Sequence, residues 1–432
     1  MSEIGPRPRH LPIAPKAEPA RRHLPLADEV RAIDKRWQPI YAVWEITLQC
    51  DLACRHCGSR AGHARPDELS TAEALDLVRQ MAELGTKEVT LIGGEAYLRD
   101  DWVEIAKAVR AHGMECTMTT GGRGMTAERA RQAKAAGIQS TSVSVDGLEA
   151  THDKLRGVKG SWRAAFDALK NLKAAGVHVS ANSQFGRHSL REMPEVFELL
   201  VAAGIHSWQV QLTVAMGRAA DEPDLLLEPY QVLEVMAMLA RLKKRADAAR
   251  VRIWPGNNIG YFGPYEHLLR GTLPRGHMAS CGAGRSTLGI EADGSIKGCP
   301  SLTTKEYVGG NIRDNSLRDI WERASALRFT RDRTVEDLWG YCRDCYYNDT
   351  CRAGCTWTTQ VLFGKPGNNP YCHHRALELL RVGKRERMVR VEAAPGLPFD
   401  HGTWEIVLED WPADELARAK KLAETGEGWL TD

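Results

Sequence analysis

Residues Tyr41–Cys57 read YAVWEITLQCDLACRHC. The first eight are aromatic, β-branched and aliphatic, the composition of a strand. Three cysteines follow at Cys50, Cys54 and Cys57, so the strand delivers a C-x3-C-x2-C loop at its carboxyl end. Downstream, helix and strand alternate. Ser70-Thr71-Ala72-Glu73 has the form of a capping box and opens a helix through Leu84, which Gly85 stops. Strands are expected at 88–92, 114–119, 138–145, 177–183 and 206–213, with helices at 101–112, 126–136, 161–175, 191–203 and 229–247. Such alternation predicts an α/β fold whose parallel sheet carries its helices outside. Six units fall short of a closed eight-fold barrel, so the expectation is a partial (β/α)6, TIM-like barrel with its site at the carboxyl ends of the strands.

The whole chain has 432 residues, 43% hydrophobic and 26% charged, as in a water-soluble globular protein, and a net charge of +2. That charge argues for no polyanion, so no nucleic-acid partner is expected. No run of about 18 apolar residues is present, so no membrane span is expected. The first residues lack the apolar core of a secretory signal, so the expected location is the cytoplasm. Grouped cysteines there bind metal more often than they pair. Residues 1–39 read as a flexible, basic, proline-rich arm, with six prolines by residue 26, in one reading a clamp for an acidic peptide. Residues 40–250 form the barrel, and 251–280, including GNNIGYFGPYEHLLRG, a bridge that either lines the substrate cavity or is only structural. Residues 281–375 form a small domain stapled by metal clusters. The extension 376–432 is expected to hold a helix over 376–387, a strand over 403–409 and a helix over 413–425.

Three thiolates in one loop leave a 4Fe–4S cluster one ligand short, since such clusters take four. An iron left open can bind a small molecule through nitrogen and oxygen. Zinc is the alternative, but a structural zinc site needs four closed ligands, and His56 would strain to reach a metal held by its neighbour Cys57. Later cysteines form a second group: Cys281-x12-Gly294-x4-Cys299, then Cys342-x2-Cys345-x5-Cys351-x3-Cys355, then Cys372. Cys116, the eleventh, sits in an expected strand and reads as core packing.

The first loop resembles the hallmark of radical S-adenosylmethionine enzymes, and the second group matches the seven-cysteine SPASM pattern at every interval. The resemblance implies that the methionyl amine and carboxylate chelate the open iron, and that an electron from the cluster yields a 5′-deoxyadenosyl radical. It implies that Gly93-Gly94-Glu95 after the second strand approaches the methionyl ammonium, that Ser144 or Asp146 faces the ribose, and that Arg156 partners the methionyl carboxylate. Thr119, Thr120, Gly121 and Asn182 are expected in the cofactor pocket. Gln209 and Gln211 alternate with apolar residues, so both can point into the barrel, where a ligand would satisfy them. By position, Cys342, Cys345, Cys351 and Cys372 close one auxiliary cluster and Cys281, Cys299 and Cys355 hold another. Sulfatase-maturating enzymes carry a further cysteine just before the position of Cys281. Residues 271–280 (GTLPRGHMAS) contain none, so the second auxiliary cluster is open or is completed by another residue such as His277. His373-His374 either ligate metal or pack beside the cluster.

The SPASM architecture resembles enzymes that modify ribosomally made peptides. It implies a precursor-peptide substrate and an external reductant such as flavodoxin or ferredoxin. Oxidation or decarboxylation of a small molecule, such as a cofactor precursor or tetrapyrrole, is the alternative. The resemblance does not choose among crosslinking, thioether formation, epimerisation and decarboxylation.

Overall fold

A computed structural model describes residues 25–430 apart from 261 and 272–280; His277 and most of the basic arm lie outside the described residues. The six expected strands form: β1 (Tyr41–Glu45), β2 (Glu88–Ile92), β3 (Glu115–Thr120), β4 (Ser140–Ser144), β5 (His178–Phe185) and β6 (Ser207–Leu212). They pair in parallel in chain order. Between them run α1 (Thr71–Leu84), α2 (Trp102–Ala111), α3 (Ala127–Ala135), α4 (Glu149–Arg156), α5 (Ser161–Ala174) and α6 (Met193–Ala203). The Ser70 side chain accepts from the Glu73 N–H and Glu73 reaches back to the Ser70 N–H, so the capping box forms as expected. Strand residues pointing outward, such as Val89, Leu91, Cys116, Met118, Val143 and Trp208, are buried in the main core. Cys116 is thus a core residue.

Three features depart from the expectation. A seventh strand, β7 (Arg252–Pro255), falls inside the bridge and pairs in parallel with β6. Beyond residue 281, β8 (Thr287–Ile290) pairs in parallel with β1, and β9 (Ser295–Lys297) and β10 (Val308–Asn311) continue antiparallel, so one ten-stranded sheet crosses both expected domains. In the extension, the helix His373–Arg381 ends before Gly383, whose φ of +71° a helix cannot continue through. Residues 384–387, expected to be helical, begin β11 (Lys384–Glu392), which pairs antiparallel with β12 (Thr403–Asp410). The helix over 413–425 forms as expected.

Residues 25–39 are pinned down, although the arm was expected to include them. Asp34 is fully buried and ion-pairs with Arg331 at 3.1 Å, Arg328 at 3.1 Å and Arg31 at 2.7 Å. Trp37 accepts the Trp321 indole N–H at 2.8 Å.

The join between β1 and β8 is electrically charged. Glu291 is buried and pairs with Lys297 at 2.9 Å and Arg65 at 3.0 Å. Burial pushes the Glu291 carboxyl up, but Lys297 and Arg65 outweigh it and hold the group at about 2. Glu45, at the end of β1, meets the same cations less directly, and burial pushes it up to about 8. Its Oε1 has no hydrogen-bond partner.

Candidate active site

At the carboxyl ends of the strands lies a cavity of about 230 Å³. Cys50, Cys54 and Cys57 border it on one side; Gly93, Gly94, Glu95, Thr119, Thr120, Gly121, Ser144, Arg156, Asn182 and Gln211 border it on the others. Nearly every residue expected in the pocket is therefore brought together. The two glycines are sterically required. A Cβ on Gly93 would stand 2.4 Å from the Thr47 carbonyl oxygen, and one on Gly94 2.4 Å from that of Gln49. The end of β2 thus lies against the backbone that leads into the cysteine loop. Beside it, Glu95 is buried; its Oε2 accepts the Gly121 N–H at 2.8 Å and its Oε1 meets no donor. Burial pushes this carboxyl up to about 8.

Asp146 departs from its expected place. It does not border the cavity but lies fully buried behind it. Its Oδ2 pairs with Arg156 at 2.6 Å and His56 at 3.1 Å, and its Oδ1 accepts the Gln184 N–H at 2.9 Å. Burial pushes the Asp146 carboxyl up, yet Arg156 and His56 hold it well below the usual carboxylate range. An isolated carboxylate there would be costly, and the guanidinium is what makes it tolerable. Arg156 in turn reaches Cys54 Sγ at 3.7 Å, so one buried pair fixes a cation against a thiol of the loop. Of the two residues assigned to a ribose, Ser144 alone borders the cavity, and it hydrogen-bonds Asn182.

Sequence reasoning passed over several wall residues, among them Arg218 and Gln184. Arg218 donates to the carbonyls of Cys54 at 2.6 Å and Ala61 at 3.1 Å, bracing the cysteine loop from the far side of the barrel. Gln184 also faces the cavity, with Oε1 unpartnered. Its signal was present, since it continues the alternation Ser180, Asn182, Gln184 along β5.

The strand face that borders the cavity and continues below it is polar, and its lower end also carries Glu88, Glu115 and His178. The register aligns Thr117 with Ser140, Thr119 with Ser142, Ser142 with Ser180, Asn182 with Gln209 and Gln184 with Gln211. Gln209 belongs to this face but not to the cavity wall itself.

The seven later cysteines fall into two groups in the structure. Cys342, Cys345, Cys351 and Cys372 surround one pocket with Phe262, Tyr341, Tyr347 and His374. The rings interlock: Phe262 stacks on Tyr347 at 4.4 Å, and Tyr347 meets His374 edge-on at 5.1 Å. His373 instead is buried against Tyr265 at 5.8 Å. Of the described bridge residues, Phe262 faces this pocket and none borders the barrel cavity. The thiols of Cys281, Cys299 and Cys355 lie close enough to interact electrostatically, and burial pushes Cys299 up to about 12. Burial likewise pushes Cys50 up to about 12. Such thiols ionise only against strong positive charge, which a metal supplies. Among the described residues, no three His, Cys, Asp or Glu side chains converge tightly enough to grip a single ion. Cys50, Cys54 and Cys57 border the barrel cavity and Cys342, Cys345, Cys351 and Cys372 the second pocket, thiol sets whose chemistry fits iron–sulfur clusters.

Comparison with known proteins agrees with this geometry. The family model for the radical SAM superfamily matches residues 44–200, and the SPASM model, an iron-sulfur cluster-binding domain, matches 281–346. The chain is 30% identical over 335 residues to the AdoMet-dependent heme synthase of Oleidesulfovibrio alaskensis, covering 72% of this chain and 81% of that one. It is 29% identical over 340 residues to the mycofactocin maturase MftC of Mycobacterium tuberculosis, covering 77% and 83%. Its fold matches SuiB of Streptococcus suis bound to S-adenosylmethionine with a TM-score of 0.60 at 16% identity, over 79% of this chain and 78% of that one. The protein is an enzyme that uses S-adenosylmethionine, a radical-generating 4Fe–4S cluster and auxiliary iron–sulfur clusters. The chain belongs to the radical SAM superfamily and carries a SPASM domain.

Proposed function

We propose that the enzyme modifies a ribosomally made precursor peptide by abstracting hydrogen from one of its carbons. When bound, the reduced cluster and S-adenosylmethionine supply the 5′-deoxyadenosyl radical that does so. In this reading Cys50, Cys54 and Cys57 hold the radical cluster. Cys342, Cys345, Cys351 and Cys372 hold one auxiliary cluster, and Cys281, Cys299 and Cys355 the other. Glu95 receives the methionyl ammonium, whose arrival favours the ionised carboxylate in an otherwise unfavourable site. Arg156, held by Asp146, faces the methionyl carboxylate. Ser144, Asn182, Thr119 and Gln211 meet the ribose and adenine. Asp146 acts through Arg156 and His56 rather than by touching the cofactor.

The observation that carries the peptide reading is the uncharged, hydrogen-bonding strand face at the level of the cavity, formed by Thr119, Ser144, Asn182, Gln184 and Gln211. Hydroxyls and carboxamides from β3 to β6 line it. They suit the alternating donors and acceptors of a peptide backbone. A tetrapyrrole bearing several carboxylates asks for cations. The two guanidinium groups in the cavity wall are engaged, Arg156 by Asp146 and Arg218 by two carbonyls. The likeness to heme synthases favours tetrapyrrole oxidation or decarboxylation as the second reading.

Anaerobically reconstituted enzyme with S-adenosylmethionine and dithionite separates the two. Short peptides encoded beside its gene should raise 5′-deoxyadenosine formation and change mass, while an iron-bound carboxylated porphyrin should do neither. Turnover of the porphyrin alone would replace the peptide reading. We place the enzyme in the cytoplasm, served by a flavodoxin or ferredoxin. No described helix is long and apolar enough to cross a membrane.

A further inference from the structure

The turn joining β11 to β12, residues 393–402, leaves its hairpin and enters the seam between the radical-cluster loop and the auxiliary site. Phe399 donates its N–H to the Gly58 carbonyl at 3.0 Å, one residue past Cys57. Asp400 accepts from Arg60 Nε at 3.0 Å, and its carbonyl accepts the Gly217 N–H at 2.8 Å. Arg60 also donates to the carbonyls of Gly217 at 2.9 Å and Leu397 at 3.2 Å. One side of the turn is therefore bound to the loop bearing Cys57 and to the segment after β6.

The Phe399 ring faces the other side. Lys297 Nζ stands 3.9 Å from its centroid, two residues before Cys299. The ring is buried with Val214, Met216 and Val361, and Trp357, two residues after Cys355, packs against them. Trp357 donates its indole N–H to Met216 Sδ at 3.0 Å. Three segments thus converge on the ring, two of them carrying proposed ligands of the second auxiliary cluster, and a fourth, carrying the radical cysteines, holds the Phe399 backbone. Phe399 and Arg60, on the two sides of the seam, both hold left-handed φ values, +56° and +51°. Bulky side chains seldom adopt that backbone unless the surroundings impose it.

We propose that the 393–402 turn is a positioning element that fixes the radical-cluster loop against the auxiliary site, with Phe399 as the wedge between them. Neither family model reaches this segment; the SPASM match ends at residue 346. The turn holds Gly58 on one side and Lys297 on the other, so it sets the distance and orientation between the two clusters. It also closes the seam with apolar surface. This rests on the cluster assignments made above.

The test compares Phe399→Ala, Phe399→Leu and Leu200→Ala, the last a core change on α6, each reconstituted anaerobically alongside the wild type. Iron content is measured first. The half-saturation power of the radical cluster's paramagnetic resonance signal, with S-adenosylmethionine bound, then reports its relaxation by the neighbouring cluster. Dithionite-driven 5′-deoxyadenosine formation without substrate reports the tightness of the seam. At wild-type iron content, Phe399→Ala should change the half-saturation power severalfold and alter the unproductive cleavage rate. Phe399→Leu should restore both to within about twofold. Leu200→Ala should leave both unchanged while lowering the melting temperature. An unchanged half-saturation power in Phe399→Ala, or the same change in Leu200→Ala, would overturn the wedge alone. A wild-type protein that reconstitutes fewer than three clusters would overturn the cluster assignments, and the wedge with them.

Discussion

Replacing Glu45 with Gln should stabilise the protein, and increasingly so as pH rises. Glu45 is fully buried at the join of β1 and β8, and burial lifts its carboxyl from 4.5 to about 8. A carboxyl raised in the folded state weakens the fold from its unfolded value upward, because the unfolded chain releases the proton first. The penalty grows from about pH 4.5 and levels off above about pH 8, where the folded group ionises too. At 1.36 kcal/mol per unit, the penalty at pH 7 is at most about 3 kcal/mol, and at pH 5.5 about 1 kcal/mol. Gln keeps the shape and removes the titration. At this chain length a melting temperature moves by roughly 1 °C per kcal/mol. The gap between Glu45→Gln and wild type should therefore widen by roughly 2 °C from pH 5.5 to 7, read by anaerobic calorimetry of the reconstituted proteins. A gap that stays constant across that range would refute the reasoning, because it would mean that Glu45 is ionised in the fold.

Replacing Cys50, Cys54 and Cys57 together with Ala should remove about four of about twelve irons and abolish 5′-deoxyadenosine formation, as iron analysis and chromatography would record. Gly94→Ala drives a methyl group to 2.4 Å from the Gln49 carbonyl oxygen, so it should displace the cysteine loop and lower S-adenosylmethionine affinity at least tenfold by equilibrium dialysis, while iron in the auxiliary clusters is retained. Glu291→Gln leaves Lys297 buried without its charged partner and should cost about 3–5 kcal/mol at pH 7 in denaturant unfolding. Its carboxyl is depressed to about 2, so this contribution is complete above about pH 4.5 and disappears as pH falls toward 2; the variant and wild type should converge in acid.

The barrel was legible in the sequence because its signals are local. Capping residues, stop glycines and two-residue alternation lie within single elements, and the helix from Thr71 to Leu84 needed nothing else. The cysteine sets came from the resemblance to the SPASM pattern rather than from any local fold signal. What escaped depends on distant partners. Strand β8 is short, and its pairing with β1 joins residues that no local pattern connects. Arg385 and Arg387 suit a helix by propensity, but Gly383 and the partner strand β12 override it. Asp146 lies in the motif that predicted it, yet Arg156 and His56 draw it behind the wall, a choice made by buried polar partners rather than by spacing. Arg218 gave no sign at all, because an arginine after a strand looks the same whether it faces solvent or braces a loop.

The pairing of Tyr41 with Thr287 also has a consequence for how the chain is made. Strand β1 leaves the ribosome early, but the strand that covers its outer edge follows roughly 250 residues later. At about 5–20 residues per second, that edge is exposed on the growing chain for roughly 12–50 seconds. An uncovered strand edge invites pairing with other chains. The loop bearing Cys50, Cys54 and Cys57 hangs from that same strand, and the turn that braces it is synthesised later still. A nascent chain loaded with iron before residue 300 would carry its cluster on an unfinished support. Delivery of iron after release, rather than during synthesis, is the order this topology favours.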